Sequence, residues 1–199
     1  MYLIATRSFP PEVGGMQSLM WGLAKEMSKN FMIKVFADYE ENHKEFDKEV
    51  NFSIERVGGI KFLRKVRKAQ LINEFLKENK VQGIIADHWK SLELIKTSKN
   101  KYCLIHGKEI NYPKGSYQNK KIIKVLNNVE KVIANSEYTK NLAISIGVDQ
   151  TKIVVINPGV NPPKELNKKS LEKVENLLKI KTPRLITVSR FDKRKNHEK

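Results

Sequence analysis

Through the first 156 residues, short apolar runs rich in β-branched side chains alternate with longer stretches whose apolar residues recur every three or four positions. The short runs suit buried strands, and the longer ones have the period of an amphipathic helix. Strands that alternate with helices at this pitch imply a parallel sheet, because a parallel neighbour is reached only through a long crossover. The pattern predicts strands at 2–6, 32–36, 51–57, 83–86, 102–106, 132–134 and 153–156. Helices are expected at 16–29 (an apolar stripe of Leu19, Leu23 and Met27, with Met16, Met20 and Ala24 beside them), at 61–80 and near 91–97. Two more are expected at 117–128 and from a cap at Ser136 to position 146. On the helix at 61–80, Phe62, Val66, Ala69, Ile72 and Leu76 share one face. The resulting fold class is α/β, a doubly wound, Rossmann-like parallel sheet.

After Ile156 the segment Asn157-Pro158-Gly159-Val160-Asn161-Pro162-Pro163 is dense in turn formers and ends the first domain. A polar helix is expected at 170–180, followed by a strand at 183–188. One strand cannot make a sheet, so this reading divides the chain into three parts. They are a domain at 1–157, a linker and helix at 158–182, and the start of a second α/β domain, incomplete here, at 183–199.

The net charge of +16 raises affinity for anions without naming one. Of the 38 basic residues 31 are lysines, which speaks for compositional bias, since phosphate or base recognition favours the bidentate fork of arginine. There is no aromatic-rich RNA motif, zinc finger or helix-turn-helix pattern, so a nucleic-acid partner is not expected. A single cysteine, Cys103, excludes an internal disulfide and reads as a small core residue. The opening residues have no basic region and too short an apolar core for a signal peptide, and a cytoplasmic location is expected. Lys61, Arg64, Lys65, Arg67 and Lys68 crowd one stretch without an acid. They suggest docking on the inner face of an anionic membrane, weighed against a solvated helix packed on the sheet.

Four segments carry chemistry. Gly14-Gly15 follows the first strand and opens the first helix, where backbone can approach a phosphate or sugar; Gln17 lies one turn on. His106-Gly107 ends the strand at 102–106, pointing a hydrogen-bonding imidazole into the crevice where open parallel sheets bind ligands. His88 ends another strand, and Asn135 precedes a capping serine at a third; with Gln17 they are the acceptor-side candidates. Arg190 and Lys195, five apart in a loop after the last strand, suit a diphosphate leaving group.

In order, Gly-Gly, His-Gly, Ala-Asn-Ser, Asn-Pro-Gly-Val and Ser-Arg-x-x-x-x-Lys resemble the GT-B fold retaining glycosyltransferases of family 4, over about residues 4–195. That family includes mannosyl-, glucosyl- and heptosyltransferases of lipid, lipopolysaccharide and polysaccharide synthesis. The resemblance implies two Rossmann-like domains, the first binding a lipid-linked or saccharide acceptor and the second the nucleotide sugar. It puts Gly14 and Gly15 near the donor phosphates and the acceptor, His106 on the transferred sugar, and Arg190 and Lys195 on the diphosphate as charge develops. It also implies retention of configuration and no metal or other cofactor, in keeping with the lack of an Asp-x-Asp motif. The family's paired glutamates do not occur in this chain, and Ser189 stands where glycine is commoner. The chain alone is therefore expected to turn over little. Rival readings are a sugar-nucleotide epimerase of the same architecture and a non-catalytic partner subunit of a split glycosyltransferase.

Overall fold

The computed structural model describes residues 1–160, 167–178 and 187–189. Contacts divide the chain into two units, Met1–Gly159 and Val160–Lys199. In the first, seven parallel strands form one sheet: β1 (Tyr2–Ala5), β2 (Ile33–Asp38), β3 (Ser53–Val57), β4 (Gly83–Ala86), β5 (Asn100–Ile105), β6 (Lys131–Ala134) and β7 (Ile153–Val155). Their order is β3-β2-β1-β4-β5-β6-β7, so β1 lies between β2 and β4. Tyr2 is level with Ile33 on one side and Gly83 on the other. The order reverses at β1 and β4, and that switch point opens a crevice at the carboxyl ends of the strands.

Six helices connect or follow these strands: α1 (Gly15–Met27), α2 (His43–Lys48), α3 (Lys61–Glu78), α4 (Trp89–Leu92), α5 (Tyr117–Leu126) and α6 (Glu137–Ser145). Side chains alternate across each strand, so Leu3 and Ala5 of β1 join one core while Ile4 joins the other. The first core takes Ile72 of α3, Trp89 of α4, Ile122 of α5 and Ala143 of α6. The second takes Met20 and Ala24 of α1. Helices thus cover both faces, as a parallel sheet buried on both sides requires. Cys103 is fully buried in β5, and burial pushes its thiol well up, so it packs as a core residue.

Several elements differ from the sequence reading. The buried line of α1 runs through Met20 and Ala24, with Leu19, Leu23 and Met27 half-buried beside it. The helix expected near 91–97 is a single turn that begins earlier, at Trp89. There the His88 imidazole accepts the Lys90 N–H at 2.9 Å and starts the turn. Helix α2 has no apolar stripe to announce it. It is held by Phe46, which packs against Trp21 and Phe9, and by an ion pair from Asp47 to Arg56.

Helix α3 corrects the membrane-docking surface most. Lys68 is 5% exposed; its ammonium donates to the Thr6 carbonyl at 2.5 Å and pairs with Asp38. Arg64 also pairs with Asp38, at 3.0 Å, and Lys65 pairs with Glu93. Of the five basic residues Arg67 alone is both described and exposed, while the side chains of Lys61 and Phe62 lie outside the described ones. Val66, expected inside, is 37% exposed. The basic residues therefore do not form one solvated face, because two acids at the carboxyl side of the sheet draw three of them inward.

In the second unit the described regular structure is α7 (Lys168–Leu178). Most of the strand expected at 183–188 lies outside the described residues, and so do Arg190 and Lys195. Among the described residues no helix is long and apolar enough to cross a membrane.

Candidate functional site

Gly14, Gly15 and Gln17 follow β1, His88 follows β4, His106 follows β5 and Asn135 follows β6. These four strands are consecutive neighbours and all parallel, so the candidates line one edge of the sheet.

Side chains tie the strand ends together. Asp87, 3% exposed, accepts the Thr6 hydroxyl at 2.8 Å and the Arg7 N–H at 3.0 Å with one oxygen, and Ser91 Oγ at 3.2 Å with the other. That carboxylate stitches β1 to β4 across the switch point. From α4, Trp89 Nε1 donates to the Glu109 carbonyl at 3.0 Å, while Glu109 Oε1 accepts the His106 N–H at 2.5 Å. Next, Thr139 Oγ1 donates to Asn135 Oδ1 at 2.7 Å, fixing the amide face of Asn135. Gly107 has φ +101°, where an L side chain is strained, and a Cβ there would come 3.5 Å from Thr139 Oγ1.

The Gly-Gly loop has a different logic. Gly14 is extended and Gly15 has no left-handed backbone; a Cβ on Gly15 would meet nothing within 4 Å. On Gly14 it would press only on the Gln17 amide, whose Nε2 donates to Glu12 Oε2 at 2.6 Å. The fold therefore does not demand either glycine. The loop is anchored by Arg56, 4% exposed in its side chain, which donates to the Pro10 carbonyl at 2.5 Å and to Asp47 at 2.6 Å. Its guanidinium also lies 5.6 Å from the Phe9 ring centroid.

The two crevice histidines differ. Burial, then the nearby Arg7 and Lys90 charges, lower His88 to about 3, so it is neutral at ordinary pH. Since its Nδ1 accepts the Lys90 N–H, its proton sits on Nε2, which makes it a fixed donor. His106 Nε2 is buried without a hydrogen-bond partner among the described residues. Such an atom costs about 1–3 kcal/mol until something bonds to it.

A groove of about 510 Å³ beside the Gly-Gly loop is lined by Pro11, Glu12, Tyr39, Glu40, Glu41 and Asn42. Burial and the neighbouring Glu12 raise the Glu40 carboxyl there. Another, about 630 Å³, lies by Met1, Met32 and Phe52 at the opposite end of the strands, away from the described candidate residues.

The sequence model of Glycosyltransferase Family 4 matches residues 13–164, most of the first unit. The chain belongs to glycosyltransferase family 4. Solved structures agree at the level of fold. The Anabaena Alr3699/HepE protein, crystallised in complex with UDP, aligns at TM-score 0.66 with 17% identity, over 89% of this chain and 50% of its own. A glycosyltransferase from Rickettsia africae ESF-5 gives 0.66 and 22%, over 92% and 50%. Sucrose-phosphate synthase from Thermosynechococcus elongatus gives 0.71 and 15%, over 98% and 56%. This family-4 chain thus spans about half the length of the solved structures it matches, and its sheet is the Rossmann-like half of the GT-B architecture. No curated protein matches it significantly by sequence.

Within this family-4 unit, sequence reasoning missed Thr6, Arg7, Asp87 and Arg56. Thr6 and Arg7 directly follow a strand and Asp87 directly precedes His88, a position that was signal enough. Nothing local marked Arg56, whose partners lie 9 and 46 residues away.

Proposed function

We propose that this chain supplies the acceptor-binding half of an enzyme that moves a hexose, or a similar sugar, from a nucleotide sugar to a lipid-linked or saccharide acceptor. Retention of configuration, a role in cell-envelope lipopolysaccharide, glycolipid or polysaccharide synthesis, work at the cytoplasmic face of the membrane and no need for a metal belong to the same proposal. The observation that carries it is the convergence of Gly14-Gly15, His88, His106 and Asn135 on four adjacent strand ends in a family-4 chain.

In this reading the Gly-Gly loop lets the donor phosphates approach backbone, and His106, at the end of β5, contacts the transferred sugar. His88 Nε2–H and the Asn135 amide orient the acceptor. Arg190 and Lys195 neutralise the departing diphosphate, an electrostatic role that grows as the bond breaks. The likeness to a protein crystallised with UDP supports a nucleotide-sugar donor. The epimerase shares the fold, and family membership favours the transferase over it.

The test is release of nucleoside diphosphate from a panel of UDP-, GDP- and ADP-sugars by the product of the full reading frame, with and without acceptor extracts. Acceptor-dependent release that falls about 100-fold in His106→Ala supports the reading, a size typical of losing one well-placed polar group. Release only on addition of a second chain would make this one a partner subunit. No release from any donor would overturn the transferase.

A further inference from the structure

Arg7 follows β1 at the switch point. The β1–β4 register pairs Ala5 with Ala86, so one step on Thr6 meets Asp87, and the next brings Arg7 beside His88. The Arg7 backbone is fixed there by its N–H bond to the buried Asp87. Its side chain is exposed, and its guanidinium has neither a hydrogen bond nor an ion pair among the described residues.

The surrounding carboxylates are already engaged. Asp87 serves Thr6, Ser91 and the Arg7 backbone, Glu93 pairs with Lys65 and Lys121, and Asp38 pairs with Lys68 and Arg64. Lys90 stands over the Trp89 ring at 5.3 Å. His88 adds a neutral Nε2–H donor. A planar guanidinium with no ion pair among the described residues, next to a neutral imidazole donor, fits two oxygens of one anionic group. A neutral sugar hydroxyl has no use for the charge.

We infer that Arg7, with His88 beside it, is a binding subsite for a phosphate or carboxylate group carried by the acceptor. The inference rests on the transferase reading for the word acceptor, and on the strand-end geometry for the anion. Within the one β1–α1 connection, Gly14 and Gly15 then serve the donor, and Arg7 holds the negative group of the molecule that receives the sugar.

The experiment titrates the ¹⁵N-labelled chain in 150 mM salt, which screens the diffuse pull of the +16 charge. The probes are glycerol 3-phosphate, glucuronate, neutral glycerol and UDP. Glycerol 3-phosphate or glucuronate should move the amides of Arg7, Ser8, Trp89 and Lys90, and glycerol should not. Affinity should fall about tenfold in Arg7→Gln, the scale of one charge-assisted hydrogen bond, fall less in Arg7→Lys, and hold in Arg67→Gln. Unchanged affinity in Arg7→Gln, or shifts centred elsewhere, overturns the subsite. Tighter binding of UDP at the same amides, displacing glycerol 3-phosphate, would assign the anion to the donor and also overturn it. If anion binding behaves as expected while the full-length protein releases no nucleoside diphosphate, the subsite stands and the transferase reading fails.

Discussion

The guanidinium of Arg56 donates to the carbonyl of Pro10, 46 residues earlier, at 2.5 Å. A residue of β3 therefore fixes the entrance to a loop that starts two strands away in the sheet. Its charge is balanced by Asp47, whose carboxyl the Arg56 and His43 bonds hold below its usual range against the upward pull of burial.

Replacing Arg56 tests that anchor. Arg56→Gln should destabilise the protein by about 2–4 kcal/mol, since a buried partner is lost and Asp47 is left without its main counter-charge. Amide exchange should quicken through 12–17, and Arg56→Lys should recover part of both effects. Urea unfolding and hydrogen exchange measure them; an unchanged loop in Arg56→Gln would remove Arg56 from the positioning of the site.

Two glycines should respond in opposite ways. Gly15 is the first residue of α1 with open space around it, so Gly15→Ala should fold normally and gain roughly 0.5 kcal/mol from helix propensity. If close approach of the donor explains the glycine, nucleotide-sugar binding by the full-length protein should nevertheless weaken at least tenfold. Gly107→Ala, forced to φ +101°, should lose about 1–2 kcal/mol. Thermal unfolding beside donor binding separates the cases, and donor affinity untouched in Gly15→Ala would reduce the loop to a connection.

His88 gives a pH signature. Its native value is lowered to about 3 by burial and neighbouring cations, whereas the unfolded side chain titrates near 6.5. Between those values the unfolded chain takes up a proton that the native protein refuses. Stability from this group is therefore full above about pH 6.5 and declines as pH falls, by about 1 kcal/mol per unit. Urea midpoints from pH 7 to 4.5 should show that slope in the parent and less of it in His88→Asn. Equal slopes would mean that His88 is protonated in the native state.

Lys68 should act through the fold. Its ammonium is buried against Asp38 and the Thr6 carbonyl, and desolvation lowers its pKa. Lys68→Gln should cost about 3–5 kcal/mol, as expected for breaking a buried pair. Binding to anionic vesicles should not follow it, because the side chain does not face solvent. Vesicle binding that falls in proportion with no loss of stability would restore the basic face of α3.

The sheet was legible because its strands announce themselves one by one: Ile84-Ile85 and Val132-Ile133 are apolar whatever surrounds them. Glycine and histidine at strand ends were equally readable, since a parallel sheet presents those ends to ligand. Arg64, Lys65 and Lys68 were misread because helical spacing gives a direction but not what waits there. Asp38 and Glu93, 30 or fewer residues away, turned a basic stretch inward. Helix α2 was missed for a similar reason, as Phe46 is a lone apolar residue that becomes an anchor only beside Trp21 and Phe9.

The place of β1 in the sheet also governs how the protein is made. Tyr2–Ala5 needs a partner on each side, and the second, Gly83–Ala86, comes 81 residues later in the chain. Until then β1 has one open edge, the kind of unpaired backbone that recruits other chains. The Asp87 stitch to Thr6 closes that edge and joins both sides of the crevice at one moment of synthesis. A pause before Asp87 emerges from the ribosome would therefore prolong the interval in which β1 keeps an open edge, and chaperone occupancy should drop once Asp87 emerges.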